Sequence, residues 1–327
     1  MARRLAEHVS EQCPDLDTLI SYVKRWEAGK VGVSDRYRVA YAAAFGMGVD
    51  DLFDLDAGAR SSLWRPAGLN GEFTPDDEER LTLVSLRPAR LDSGTLETLA
   101  TVLAAQRRLE DAVGAAALLA PVAGQLDVLM VMLRDASGPL RDQLGRIVAE
   151  WTVYTGWLHA ALRRDAQALA LFGRGEELAD EFGDGTIAAV ATSFRGYVAR
   201  RQGRPHAVVR AASAALATPG GHPVQRTFDQ LQAAQGYAAL GDVERARRLL
   251  DSAAERAADG VEPPPPVYWY SEAFFQLNIG MVLGDIGEYS DAAALLGEGL
   301  RAMPPEQAGA EWLGEYRAAF DRARDRA

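Results

Sequence analysis

A spacing of small residues recurs through the second half of the chain and leaves few folds open to it. Counting from a small residue, a glycine follows at seven, an alanine at twelve, a large apolar residue at sixteen and another small residue at nineteen. Gly280 starts a complete set with Gly287, Ala292, Leu296 and Gly299, and Ala234 starts another with Gly241, Ala246, Leu250 and Ala253. Gly156 gives Ala168, Phe172 and Gly175 but has Arg163 where the turn glycine belongs, and Gly196 gives Gly203, Ala212 and Ala215 with Val208 in place of the alanine. Small residues on facing helices let two backbones approach, and the turn glycine reverses the chain between them. One helix pair cannot bury its own apolar face, so the pattern predicts a right-handed stack of pairs. The sets start 40, 38 and 46 residues apart, and the longest gap holds Gly260 to Pro266 with four consecutive prolines.

From Thr95 onward the hydrophobic period is helical almost without interruption, and no alternating strand pattern occurs. The expected fold class is all-α. Residues 57–94 hold Pro66, Pro75 and Pro88, glycines at 58, 68 and 71, and no sustained helical period, which predicts a linker. It would separate a first domain, 1–56, from a helical solenoid over 95–327.

The 48% hydrophobic content over 327 residues excludes a disordered chain. No apolar run reaches the roughly 18–20 residues that span a bilayer, and Met1-Ala-Arg-Arg-Leu-Ala-Glu-His8 lacks the apolar core of a signal peptide. A cytoplasmic protein with no membrane contact is expected. The single Cys13 forms no internal disulfide, and His8, His159, His206 and His222 offer no paired metal-ligand spacing. The acidic clusters Asp50-Asp51 and Asp76-Asp-Glu-Glu79 lack a basic or metal-ligating partner at a useful spacing, and no nucleophile motif or phosphate-cradling glycine loop is present. The expectation is therefore no enzyme, no cofactor and no metal.

The N-terminal segment carries a different signal. On a helix from about Ile20, Val23 and Trp26 share one face, while Ser21, Lys24 and Arg25 project outward. Gly29 is suited to close that helix, Ser34 to cap the next, and Arg36 and Arg38 follow in its first turns. The net charge of -11 argues against nucleic-acid binding by the whole surface, yet Met1 to Gly46 holds seven Lys/Arg against six Asp/Glu, leaving -12 for the rest. Any DNA contact has to be local to this segment.

These residues resemble a known family. Residues 3–53 are similar to the Xre-type, lambda-repressor-like helix-turn-helix, with Tyr22-Val-Lys-Arg-Trp-Glu-Ala-Gly29 in the place of its recognition helix. Tyr37-Arg-Val-Ala-Tyr-Ala-Ala-Ala-Phe-Gly46 matches its fourth helix and Val49-Asp-Asp-Leu-Phe53 its fifth. Arg3 to Val9 matches helix two, so the pattern lacks helix one, and the connection Gln12 to Leu19 is longer than the tight turn of the simplest members. The repeat spacing is that of tetratricopeptide-like helix pairs. Tyr154-Thr-Gly-Trp-Leu-His159 and Tyr268-Trp-Tyr-Ser-Glu-Ala-Phe274 resemble segments of large regulators from high-GC bacteria that join the two parts.

The resemblance implies a dimeric transcriptional regulator that binds double-stranded DNA through residues 20–38. Ser21, Tyr22 and Arg25 would face base edges, and Lys24, Lys30, Arg36 and Arg38 would meet phosphates. The alternative is an interaction module whose remnant domain no longer binds DNA. In a stack the concave surface is built by the first helix of each pair, which directs Trp157, Tyr197, Arg200, Phe228, Gln235, Phe274 and Met281 toward it. That mixture would suit a peptide, a small-molecule effector or a protein partner.

Overall fold

In the computed structural model of the chain, residues 2–9, 14–27, 33, 35–45, 49, 64, 73–86, 91–258 and 260–327 are described. Among them every regular element is a helix, and there is no strand. The chain divides into two units, Met1–Leu63 and Trp64–Ala327.

The first unit contains α1 (Ala2–His8), α2 (Leu16–Glu27) and α3 (Asp35–Phe45). Leu5, Leu19, Val23, Tyr37, Ala40 and Tyr41 form its buried core, with Tyr22 and Trp26 packed against them. Helix α2 starts four residues before Ile20 because Asp15 caps it: the Thr18 backbone N–H donates to Asp15 Oδ1 at 2.9 Å and the Thr18 hydroxyl to Oδ2 at 2.8 Å. These two hydrogen bonds hold the Asp15 carboxyl below its ordinary range. Gly29, Ser34 and residues 50–53, singled out above as a stop, a cap and a fifth helix, lie outside the described residues.

The second unit opens with α4 (Pro75–Leu86), inside the stretch expected to be a linker. Pro75 is the first residue of the helix, where a missing N–H costs nothing, so a residue that reads as a breaker marks a start. Thr74 and Asp77 cap it reciprocally, the Thr74 N–H donating to Asp77 Oδ2 at 2.9 Å and the Asp77 N–H to Thr74 Oγ1 at 3.3 Å. Asp77, one of the acidic cluster at 76–79, is thus a cap. Leu81, Val84 and Trp64 enter the main core, Trp64 lying edge-on to Trp151 at 6.2 Å.

Helix α5 (Ser93–Val113) and α6 (Ala115–Asp135) come next, tied by a hydrogen bond of 2.7 Å from Gln106 Nε2 to Gln125 Oε1. By length and composition α6 is apolar enough to cross a membrane, contrary to the expectation that no run qualifies. Its Leu118, Leu119, Val122, Leu126, Leu129, Met132 and Leu133 are buried in the core, so packing accounts for its composition.

The four repeat sets each form a helix pair. They are α7 (Arg141–Ala161) with α8 (Asp165–Glu181), α9 (Gly185–Arg201) with α10 (Pro205–Ala217), α11 (Pro223–Ala239) with α12 (Val243–Ala258), and α13 (Glu272–Asp285) with α14 (Tyr289–Ala302). Neighbouring helices pack in sequence order, and α15 (Gly314–Arg324) closes on α13 and α14. The small residues do what the spacing requires: a Cβ added at Gly156 would sit 2.7 Å from the Phe172 ring, and one at Gly280 would sit 2.7 Å from Leu296.

All four turns inside the pairs are the same turn. The residue at the turn position has positive φ: 61° at Arg163, 65° at Gly203, 79° at Gly241 and 91° at Gly287. The next residue donates its N–H five residues back, from Arg164 to His159 O, Arg204 to Ala199 O, Asp242 to Tyr237 O and Glu288 to Leu283 O, all at 2.9–3.0 Å. This double hydrogen-bonded C-terminus needs a left-handed residue, so Arg163 holds a glycine's conformation in the set that lacks the glycine.

Candidate functional site

Two places in the molecule carry chemistry, one in each unit. In the first, α2 buries Leu19 and Val23 and leaves Ser21, Lys24 and Arg25 exposed. This is the amphipathic division expected of a helix that lies on its own domain and offers a basic face outward. Two other candidate contacts are engaged within the unit. The Tyr22 ring is half-buried, 5.6 Å from Trp26 and 6.2 Å from Tyr37, while Trp26 lies 4.9 Å from Tyr37. Arg38 is half-buried, its Nε donating to Val33 O at 3.0 Å. An aromatic ring is worth more against other rings than in water, and a guanidinium tied to a carbonyl orders the chain entering α3. Lys30 and the side chain of Arg36 lie outside the described residues.

In the second unit, the first helices of the pairs surround one cavity. It encloses about 890 Å³ of empty space, counting the open solvent at its mouth. Of the residues placed on the concave side by the repeat register, Trp157, Tyr197, Arg200, Phe228 and Phe274 line it. Gln235 and Met281 do not. Each lies seven residues beyond a lining residue on its helix, about 10 Å along the axis. Gln235 is buried, and Met281 belongs to a separate cluster of α13, α14 and α15.

The walls are aromatic and mutually packed. Trp157 lies 5.2 Å from Phe194 and 5.4 Å from Tyr197, Phe194 stacks on Trp269 at 6.2 Å, and Phe228 stacks on Tyr270 at 5.3 Å. Trp269 and Tyr270, together with Pro266 and Tyr268, come from the insertion between α12 and α13, which carries a short 3-10 turn at Pro265–Val267. The four prolines that lengthen the third interval therefore deliver aromatic rings to the cavity. The C-terminal segment adds Trp312, 5.9 Å from Phe274, and Tyr316.

Charge enters from α5 and α15, outside the repeat sets, and from Arg200 of α9. The Arg200 Nη2 donates to Glu315 Oε1 at 3.0 Å and pairs with Oε2 at 2.9 Å, with its guanidinium carbon 5.3 Å from the centre of the Tyr197 ring. Arg107 is paired with Glu150 and lies over Tyr154 at 5.5 Å. Asp111 accepts from Tyr268 Oη at 3.1 Å and from Trp312 Nε1 at 3.1 Å, joining α5 to the insertion and to the C-terminal segment. Glu110 Oε2 accepts from Trp157 Nε1 at 3.2 Å. Among the described residues neither Glu110 nor Asp111 has a cationic side chain within ion-pair distance. Burial, reinforced by the charge of Asp111, pushes the Glu110 carboxyl up to about 7, and burial raises Asp111 as well. No group of three or more His, Cys, Asp or Glu that could hold a metal occurs among the described residues.

Comparison of the chain with protein-family models, with curated proteins and with solved structures gives no match in any of the three.

Proposed function

We propose that the protein is a cytoplasmic, sequence-specific DNA-binding transcriptional regulator whose helix-pair unit receives an effector. The observation that carries this reading is the exposed Ser21, Lys24 and Arg25 face of α2, on a small helical unit, in a chain whose remaining sequence is acidic. An acidic protein is repelled by DNA except where a local cationic face overcomes that field, so such a face implies local, oriented contact. Arg25 supplies the side chain best suited to guanine and Lys24 a phosphate contact. A single unit of this size covers few base pairs, so the active form is a dimer on a two-fold operator.

The cavity gives the reading its second half. An effector changes DNA affinity only through its different affinity for two arrangements of the same protein. A site built from α5, α7, α9, α11, α13, an insertion and the C-terminal segment joins elements that a ligand can draw together. The competing reading, an interaction module that does not bind DNA, draws on the inward engagement of Tyr22 and Arg38.

Anisotropy titration of the full chain with duplexes from its own upstream region tests this. The expected result is specific binding that weakens at least about tenfold in Arg25→Ala, the scale of one base contact. Binding of equal strength to unrelated duplexes, or none at all, favours the interaction module.

A further inference from the structure

The cavity holds more negative charge than its own cations neutralise. Arg107 and Arg200 are taken by Glu150 and Glu315, which leaves Glu110 and Asp111 on one wall with no basic partner within ion-pair distance among the described residues. The two carboxylates are not equivalent. Asp111 receives a donor on each oxygen, from Tyr268 and Trp312, and so builds the wall. Glu110 receives the Trp157 indole on Oε2 and lines the cavity beside that ring. Glu311 stands close by, its Oε1 3.1 Å from where a Cβ on Gly114 would be. The aromatic side chains of Trp157, Phe194, Tyr197, Trp269 and Phe228 are among those that line the rest of the cavity.

We propose that this cavity binds an organic cation, an ammonium group on an apolar or aromatic body, with the charge set against Glu110 and the body against the rings of Trp157, Phe194 and Trp269. The proposal rests on the reading of the cavity as the effector site and names that effector's chemical class. Aromatic faces attract cations through their quadrupole, and most strongly where water is displaced. A carboxylate held among such rings without a counter-charge is costly in the empty protein, and an incoming cation removes that cost while an anion or a neutral molecule leaves it in place. The raised Glu110 and Asp111 carboxyls agree with an unmet demand for positive charge at this wall. Anion recognition is disfavoured by the same inventory, since both arginines are already bridged.

Calorimetric titration of the full chain at pH 8 with three probes of similar size tests the proposal: benzyltrimethylammonium, benzyl alcohol and phenylacetate. The ammonium is expected to bind at least about tenfold more tightly than the other two, the scale of a desolvated cation–aromatic contact plus a charge pair. Glu110→Gln keeps an acceptor for Trp157 and should lose at least that factor for the cation while leaving the neutral probe unchanged. Phe194→Leu keeps an apolar side chain, removes the ring, and should weaken the cation selectively even where the Glu110 variant folds poorly. Equal or tighter binding of benzyl alcohol or phenylacetate, or cation binding indifferent to both substitutions, overturns the proposal. Neutral binding that shifts DNA affinity would overturn the cation and leave the effector site standing. Cation binding lost in Glu110→Gln but without effect on DNA affinity would support the ligand class and end the effector reading.

Discussion

Glu110→Gln should stabilise the protein at pH 8 and do almost nothing at pH 4.5. In the folded chain the Glu110 carboxyl holds its proton to about 7, against an ordinary value of 4.5 in the unfolded chain. Between those values the folded state carries a proton that the unfolded state has released. Stability therefore falls as pH rises through this window, is highest below about 4.5 and is flat above about 7. At about 1.4 kcal/mol per tenfold, the gap corresponds to at most about 3 kcal/mol, with solvent at the cavity mouth screening part of it. Glutamine matches the neutral acid in shape, keeps an acceptor for Trp157 and cannot ionise, so it escapes the loss. The groups facing Glu110 are Asp111 and Arg107 on its own helix, Tyr154 and Trp157 from α7, Tyr268 from the insertion, and Glu311. Of these the carboxylates raise it, and Arg107 is already bridged to Glu150. For a unit of this size the difference amounts to a gain in Tm of up to about 6–12 °C at pH 8. Calorimetric scans of both proteins from pH 4.5 to 8.5 check it. A Tm difference independent of pH, or a variant less stable than the parent at pH 8, would refute the assignment of Glu110 as a carboxyl buried without a counter-charge.

Two smaller predictions concern the frame. Arg163→Gly replaces a left-handed arginine whose side chain is exposed, and should raise stability by about 1 kcal/mol in denaturant titration, where a loss would show that the arginine contributes a contact of its own. Gly156→Ala puts a methyl 2.7 Å from the fully buried Phe172 ring and should cost about 1–3 kcal/mol, whereas a neutral result would mean that α7 and α8 separate freely.

Those two positions show how far the repeat was legible. Small residues at a fixed interval reveal helix pairs because sterics forbid anything larger where backbones meet, and that constraint placed Ala168, Phe172, Ala246, Leu250, Ala292 and Leu296 in the core, where they are. The same register brought Trp157, Tyr197, Arg200, Phe228 and Phe274 to one cavity. A register gives the direction of a side chain and not its height along the stack, which is why Gln235 and Met281 miss. The acidic wall lies outside the repeat sets and had no spacing to announce it. One signal was available: Leu96, Leu99, Leu103, Gln106 and Glu110 follow one another at three- and four-residue steps, so Glu110 extends the buried stripe of α5. Trp312, Glu315 and Tyr316 reach the cavity only through the closure of α15, a long-range contact that no local pattern contains. In the first unit, an outward place for Tyr22 gave way to two neighbouring rings, Trp26 and Tyr37, because aromatic packing outweighs a helical-wheel position. Pro75 misled by reading as a break where it opens α4.

The central claim, that the α2 face reads a DNA sequence, is tested most directly by selection from a pool of random duplexes with the full chain, followed by sequencing of the bound fraction. The account predicts one recurrent two-fold motif, enriched by the parent protein and lost when Lys24→Ala and Arg25→Ala are combined, with the helical circular-dichroism signal unchanged. Enrichment of no sequence by the parent, or of the same motif by the double variant, would contradict it.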